Sequence, residues 1–222
     1  MELNKKIILS TVRIKTAIRD FGSDRCAVAC SFGKDSMVIL KLAHDIDPDI
    51  PVVWCDTKCE HPETYRFAKR IIDEWDLNIH IARAPAGVNF WTLAREYGLP
   101  RVITGITADE SRQRFMLMKR NSNKAQAEGI PIDDDAGFGC GARYFGKTKN
   151  RTTLMPIIDW TTKDVWDFHR YLELPHCRLY DINGGGRLGC TPCTAYRSWQ
   201  IRMPIESPKT YAKVMKMMEE SE

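Results

Sequence analysis

Apolar residues along this chain fall into two kinds of stretch: short unbroken runs and longer segments with helical spacing. Residues 5–20 place Ile8, Val12, Ile14 and Ile18 at roughly helical intervals, and Gly22 supplies a stop. The run Cys26-Ala27-Val28-Ala29-Cys30 predicts a buried strand, and Met37 to Ala43 continues as a helix to about Asp45. Asp47-Pro48 punctuates, and Pro51 to Cys55 predicts a second buried strand. A helix follows from His61 to Trp75, with Pro62 tolerated in its first turn, and Ile79-His80-Ile81 predicts a third strand. Residues 90–97 and 108–120 predict further helices, with an extended run from Arg101 to Thr104 between them. This alternation predicts an α/β fold, a doubly wound and mostly parallel sheet with helices on both faces.

The alternation breaks at 121–150, a polar, Gly-rich segment with Asp133-Asp134-Asp135 and a lone Cys140; its length and composition predict a loop or lid. The pattern then resumes. Leu154 to Ile158 is expected to be extended, and Thr161 or Thr162 caps a helix from about Lys163 to Leu172. Lys213 to Met218 predicts an amphipathic helix whose methionine stripe packs on the domain. The expected organisation is a nucleotide-binding α/β core with an N-terminal helix (1–120), a loop or lid (121–150), and a C-terminal part of the same domain (151–222).

With 222 residues, 43% hydrophobic and 28% charged, the chain has the composition of one ordinary globular domain, and extended disorder is excluded. No apolar run approaches the roughly 18 residues that a membrane span needs. The first ten residues lack the apolar core of a secretory signal, so the expected location is cytoplasmic. A net charge of +4 suits an anionic nucleotide and permits a nucleic acid without requiring either. Eight cysteines in such a compartment point to metal, cluster or catalytic thiols before disulfides.

Four constellations carry candidate chemistry. Ser31-Phe32-Gly33-Lys34-Asp35-Ser36 lies between a strand and a helix start, where backbone N–H groups and the helix dipole face an anion. Ser31 and Ser36 add hydroxyls, Gly33 allows close approach and Lys34 adds a point charge. It is not a Walker A loop, because position 28 is Val and position 35 is Asp. The second motif runs from Asp56 and Thr57 through Cys59 and Glu60 to Thr64, at the rim where open α/β sheets bind ligands. Asp56 suits Mg²⁺ or a ribose hydroxyl, or is a strand-end turn residue. Cys59, beside Lys58, is a candidate reactive thiol. Gly105 to Arg114 forms the third, with Glu110 and with Arg112 and Arg114 suited to clamp a sulfate or phosphate, or simply solvated on a helix surface.

The fourth constellation is Cys140, Cys177 and the pair Cys190-Thr-Pro-Cys193. A Cys-x-x-Cys pair with two further thiolates suits an Fe–S cluster or structural Zn²⁺. Cys26 and Cys30 share one strand face and are expected in the core, as is Cys55.

In order along the chain, these segments resemble the phosphoadenosine phosphosulfate (PAPS) reductase family, a branch of the ATP pyrophosphatase superfamily. The likeness runs through residues 31–36, Asp56-Thr57 with Glu60 to Thr64, Gly105 to Arg112, Pro156 to Trp166, and Leu179-Tyr180 to Cys193. It implies an adenylyl nucleotide at the C-terminal edge of the sheet, with phosphates on residues 31–36, Gly105 close to the nucleotide and Arg112 or Arg114 at its anionic end. There are three departures. No cysteine follows Cys193, where sulfonucleotide reductases carry a catalytic one; no adjacent Cys-Cys pair exists; and Thr107 stands where arginine is common. The cysteine layout is similar to that of sulfurtransferases of DNA phosphorothioation and phage relatives.

The expected function is accordingly acceptor adenylation by ATP with Mg²⁺, followed by sulfur transfer assisted by a four-cysteine 4Fe–4S cluster, with Lys34, Asp35 and Cys59 as catalytic residues. Two alternatives stay open. One is a PAPS or adenylyl sulfate reductase using an external thiol, and the other a non-catalytic nucleotide-binding subunit with structural Zn²⁺. The partners implied are a sulfur-donor protein and a nucleic-acid acceptor, with no membrane; a homodimer stays open.

Overall fold

The computed structural model describes residues 2–56, 60–83, 97–99, 101–110, 115–116, 144–145, 152–182, 204–205 and 208–219. Its sheet contains β1 (Cys26–Ala29), β2 (Val52–Asp56), β3 (Ile79–Arg83), β4 (Arg101–Thr104), β5 (Tyr144–Phe145) and β6 (Thr152–Leu154), in the spatial order β3-β2-β1-β4-β6-β5. All neighbours are parallel except β5, which runs antiparallel to β6 at the edge. The described helices are α1 (Leu3–Phe21), α2 (Lys34–His44), α3 (Pro62–Glu74), α4 (Thr162–Tyr171), α5 (Leu179–Ile182) and α6 (Pro208–Glu219). This is the doubly wound, mostly parallel α/β fold that the alternating pattern predicts.

Strand alternation divides the apolar side chains between two faces. Cys26, Val28, Val52, Trp54, Ile103 and Leu154 point to the face covered by α1, α2, α3 and α4, and they join the main core there. Ala27, Val53 and Val102 point the other way and pack with Leu99. Helix α2 lies deepest: every residue from Ser36 to Leu40 is buried, as its unbroken apolar run requires.

Two expectations are corrected. The buried stripe of α1 is Lys6, Ser10, Ile14 and Ala17, while Ile8 and Val12 are exposed at 62% and 52%. The helix is turned so because residues 156–164 offer it polar partners. The Lys6 ammonium meets the Asp164 carboxylate at 2.5 Å and the Asp159 carbonyl at 3.1 Å. Ser10 and Arg13 both donate to the Pro156 carbonyl, at 2.9 and 2.7 Å. The second correction concerns 154–158, expected to be extended throughout: the strand ends at Leu154, and Pro156–Asp159 is a turn whose first and last carbonyl oxygens, those of Pro156 and Asp159, face α1. Thr161 is the cap of α4, in a reciprocal capping box with Asp164.

From β1 the chain moves outward to β2 and β3, then returns to β4 on the other side of β1. That reversal opens a crevice beyond the C-terminal ends of β1 and β4, where doubly wound sheets bind their ligands.

Candidate functional site

A cleft of about 300 Å³ opens at this switch point. Its floor is the β1 end and the start of α2, through Cys30, Ser31, Gly33, Asp35 and Ser36. Its walls are Trp54 and Cys55 from β2, Thr104, Gly105, Ile106 and Glu110 following β4, and Tyr180 from α5. Four of the six residues in the predicted anion loop therefore line one cavity.

The loop is held in shape locally. Phe32 has φ +56°, the left-handed region that non-glycine residues seldom occupy, and its ring is fully buried, edge-on to Trp54 with centroids 5.2 Å apart. Packing of the ring thus secures a backbone turn that propensity alone disfavours. The Ser36 hydroxyl donates to the Gly33 carbonyl at 2.9 Å, and the Phe32 N–H meets the Cys30 sulfur at 3.4 Å. Gly33 is the N-cap of α2, so the helix's first N–H groups begin at the cleft floor.

Lys34 does not line the cleft. Its ammonium is buried against both carboxylate oxygens of Asp35, at 2.6 and 2.9 Å. Asp35 faces the cavity, so the pair presents a carboxylate edge with a neutralising cation behind it.

Gly105 has a steric role that its position in the sequence did not reveal. A Cβ there would stand 2.5 Å from the Asp35 carbonyl oxygen and 2.8 Å from the Ser36 Cα. The end of β4 therefore rests directly on the first turn of α2, and only glycine permits that approach. Thr107 is buried, and its hydroxyl has no hydrogen-bond partner among the described residues. Asp56 sits at the β2 end, where the Tyr65 hydroxyl of α3 donates to it at 2.6 Å. Burial first, and then this carboxylate, raise the Tyr65 pKa, so the phenol keeps its proton.

Among the cysteines, Cys26 and Cys30 are buried in the core as expected, and Cys55 is half-buried at the cleft wall. Burial pushes the Cys30 and Cys55 thiols up to about 11, so both stay protonated at neutral pH. Cys177 is fully buried, and burial raises its pKa too. Thr57, Cys59, Arg112, Arg114, Cys140, Cys190 and Cys193 lie outside the described residues. Within those residues no group of three or more His, Cys, Asp or Glu side chains is arranged to hold a metal ion. Cys177, the one expected ligand among the described residues, is packed in the main apolar core.

Two residues at the site were not among those expected. Tyr180 lines the cleft, and its hydroxyl accepts a hydrogen bond from the Lys34 N–H at 2.9 Å. His169 Nε2 lies 2.9 Å from the Lys34 carbonyl oxygen. Both belong to segments read only as helix or as part of the resemblance, because contacts 146 and 135 positions away leave no local signal.

A parallel sheet whose strand order reverses at β1, with a Ser/Gly/Asp anion loop at the reversal, defines a doubly wound α/β protein with a PP-loop-type site. Residues 25–99 and 91–196 match the phosphoadenosine phosphosulfate reductase domain, and the chain belongs to that family. It is 29% identical over 197 residues to an adenosine 5′-phosphosulfate reductase of Geobacillus kaustophilus, covering 81% of this chain and 76% of that one. It is 30% identical to a phosphoadenosine 5′-phosphosulfate reductase of Xanthomonas axonopodis pv. citri, over 86% of this chain and 79% of the relative.

Among solved structures, a PAPS reductase from Candida auris in a phosphate complex superposes with TM-score 0.59 at 15% identity, covering 82% of this chain and 87% of that one. An FMN adenylyltransferase from Candida glabrata, in complex with FMN and an ATP analogue, superposes with TM-score 0.60 at 16% identity over 85% and 62%. At such identities these structures establish the fold. No helix among the described residues is long and apolar enough to cross a membrane.

Proposed function

We propose that this protein is a sulfonucleotide reductase that takes PAPS or adenylyl sulfate and uses a thiol supplied from outside the cleft. The observation that carries the reading is the anion loop, whose Ser31, Gly33, Asp35 and Ser36 line a cavity at the sheet's switch point. Curated relatives named as reductases of these two nucleotides support it over adenylation by ATP with cluster-assisted sulfur transfer. The thiols described at the cleft support an external nucleophile, since Cys30 and Cys55 are held protonated by burial.

The chemistry balances as follows. A donor thiolate attacks the sulfate sulfur, and the S–O bond to the 5′-phosphate breaks. The electron pair leaves on the nucleotide phosphate, giving AMP or its 3′-phosphate and a thiosulfonate on the donor. A second donor thiol then attacks the sulfenyl sulfur and expels sulfite, leaving a disulfide; two electrons pass from the dithiol to sulfur. The N–H groups that follow Lys34 at the start of α2 and the Ser31 hydroxyl stabilise the charge growing on the leaving phosphate, while Ser36, bonded to the Gly33 carbonyl, braces the loop.

Purified protein with a small dithiol protein is expected to release sulfite from adenylyl sulfate or PAPS. Ser31→Ala is expected to lower that rate about tenfold, the scale of one lost hydrogen bond to a charged group. Pyrophosphate release from ATP without any sulfite from either sulfonucleotide would overturn the proposal in favour of adenylation.

A further inference from the structure

His169 and Tyr180 hold the backbone of a single residue of the anion loop, Lys34, through the two peptide groups that flank its Cα. The Lys34 N–H donates to the Tyr180 hydroxyl at 2.9 Å, and the Lys34 carbonyl faces His169 Nε2 at 2.9 Å. The other ring nitrogen, Nδ1, lies 3.1 Å from the Leu174 carbonyl. Burial lowers the His169 pKa further than the two carbonyls raise it. The neutral ring donates through one nitrogen, and its Nε2–H tautomer is the one that bonds the Lys34 carbonyl.

Both gripping side chains are about 3% exposed. Trp166 splints them, with its ring 5.3 Å from His169 and 5.2 Å from Tyr180, the latter at 83°. Neither residue belongs to the strands or loops that form the usual rim. They come from α4 and from α5, whose Tyr180 also lines the cleft.

We propose that His169 and Tyr180 are positioning residues for the anion loop: by fixing the two peptide groups on either side of Lys34 they set the direction of the N–H groups that follow it at the start of α2. The geometry favours this over generic packing. A core aromatic needs only apolar neighbours, whereas here two polar atoms converge on the backbone donor and acceptor of one residue. That residue is the first of the helix whose N-terminus forms the cleft floor. The inference rests on the proposed nucleotide site and deepens it, tying loop geometry to the segment 162–182.

The test compares Tyr180→Phe, which keeps the ring but loses the accepting oxygen, with His169→Leu and His169→Gln. Amide exchange at Lys34 is read by NMR, and calorimetry measures affinity for adenylyl sulfate, ATP and plain adenosine. Exchange of the Lys34 amide is expected to quicken about tenfold in Tyr180→Phe, while α3 amides stay as in wild type. Affinity for the two anionic nucleotides is expected to fall about fivefold to tenfold, the scale of one neutral hydrogen bond, with adenosine within about twofold. His169→Leu should behave alike, and His169→Gln, which restores a donor, should recover most of the affinity.

Unchanged Lys34 exchange in Tyr180→Phe, or a parallel loss of adenosine binding, would overturn the assignment, the second result marking a merely structural role. If wild-type protein binds none of the three ligands, the nucleotide reading itself fails. The exchange rates then still decide whether the two residues hold the Lys34 backbone.

Discussion

Gly105 shows how one missing methyl group shapes this site. The atoms that a Cβ would strike, the Asp35 carbonyl and the Ser36 Cα, are backbone of the first turn of α2 and have no rotamer to yield with. Gly105→Ala must therefore push β4 away from α2, moving the two walls of the cleft apart. We expect a loss of about 1–3 kcal/mol in urea unfolding, typical of overpacking. Nucleotide affinity should weaken as well, because the anion loop belongs to the turn that is displaced. Unaltered stability and binding in this variant would show that β4 and α2 separate freely. The sequence signalled this glycine by position alone, as the residue ending a strand before a polar helix start. The reason for it lies in the packing of an element 70 residues earlier, which no local pattern carries.

At the scale of elements, α1 is the instructive case, because its apolar spacing marked the helix but only part of its buried face: Ile14 and Ile18 meet the core, Ile8 and Val12 do not. Ile8 and Val12 suggested a stripe, yet the helix buries Lys6 and Ser10 beside Ile14 and Ala17. Polar burial has no hydropathy signature; it becomes legible only when the turn at 156–159 supplies carbonyl partners about 150 positions away. Helix α2 was legible for the opposite reason, being apolar all round, and α4 because the Thr161–Asp164 capping box is local. The Lys6–Asp164 pair gives α1 a measurable signature. Burial alone would raise the Asp164 pKa, but bonds from Lys6 and Thr161 hold it below the ordinary 3.8. A depressed carboxylate stabilises the fold fully above about pH 4, and the contribution fades as pH falls through the folded value. Lys6→Met removes the ammonium and leaves the partly buried carboxylate with its Thr161 bonds alone. It should cost about 1–2 kcal/mol at pH 7 and flatten the acid limb of the stability–pH curve below pH 4. An acid limb as steep as that of wild type would mean that Lys6 does not hold the carboxylate.

At the scale of the whole molecule, the alternation of strands and helices announced the fold class, and the motifs announced which strand ends form the rim. The closure of the cleft by the C-terminal part was not legible, since Tyr180 and His169 reach the loop across more than 130 residues. That closure has a thermodynamic consequence. The cleft is assembled from β1, α2, β2, β4 and α5, so a ligand that binds it binds only the folded chain. Linkage then requires stabilisation by RT ln(1 + [L]/Kd), about 2.7 kcal/mol at a hundredfold excess over Kd. For a chain of this size each kcal/mol raises Tm by about 2–4 °C, so saturating adenylyl sulfate should raise it by about 5–10 °C in a calorimetric scan. The same ligand should give a rise about half to two-thirds as large in Tyr180→Phe at equal concentration, the consequence of a fivefold to tenfold weaker Kd. Adenosine, lacking the anion, should stabilise the two proteins alike. An equal shift by adenylyl sulfate in wild type and variant would locate ligand binding away from the loop, even with the fold intact.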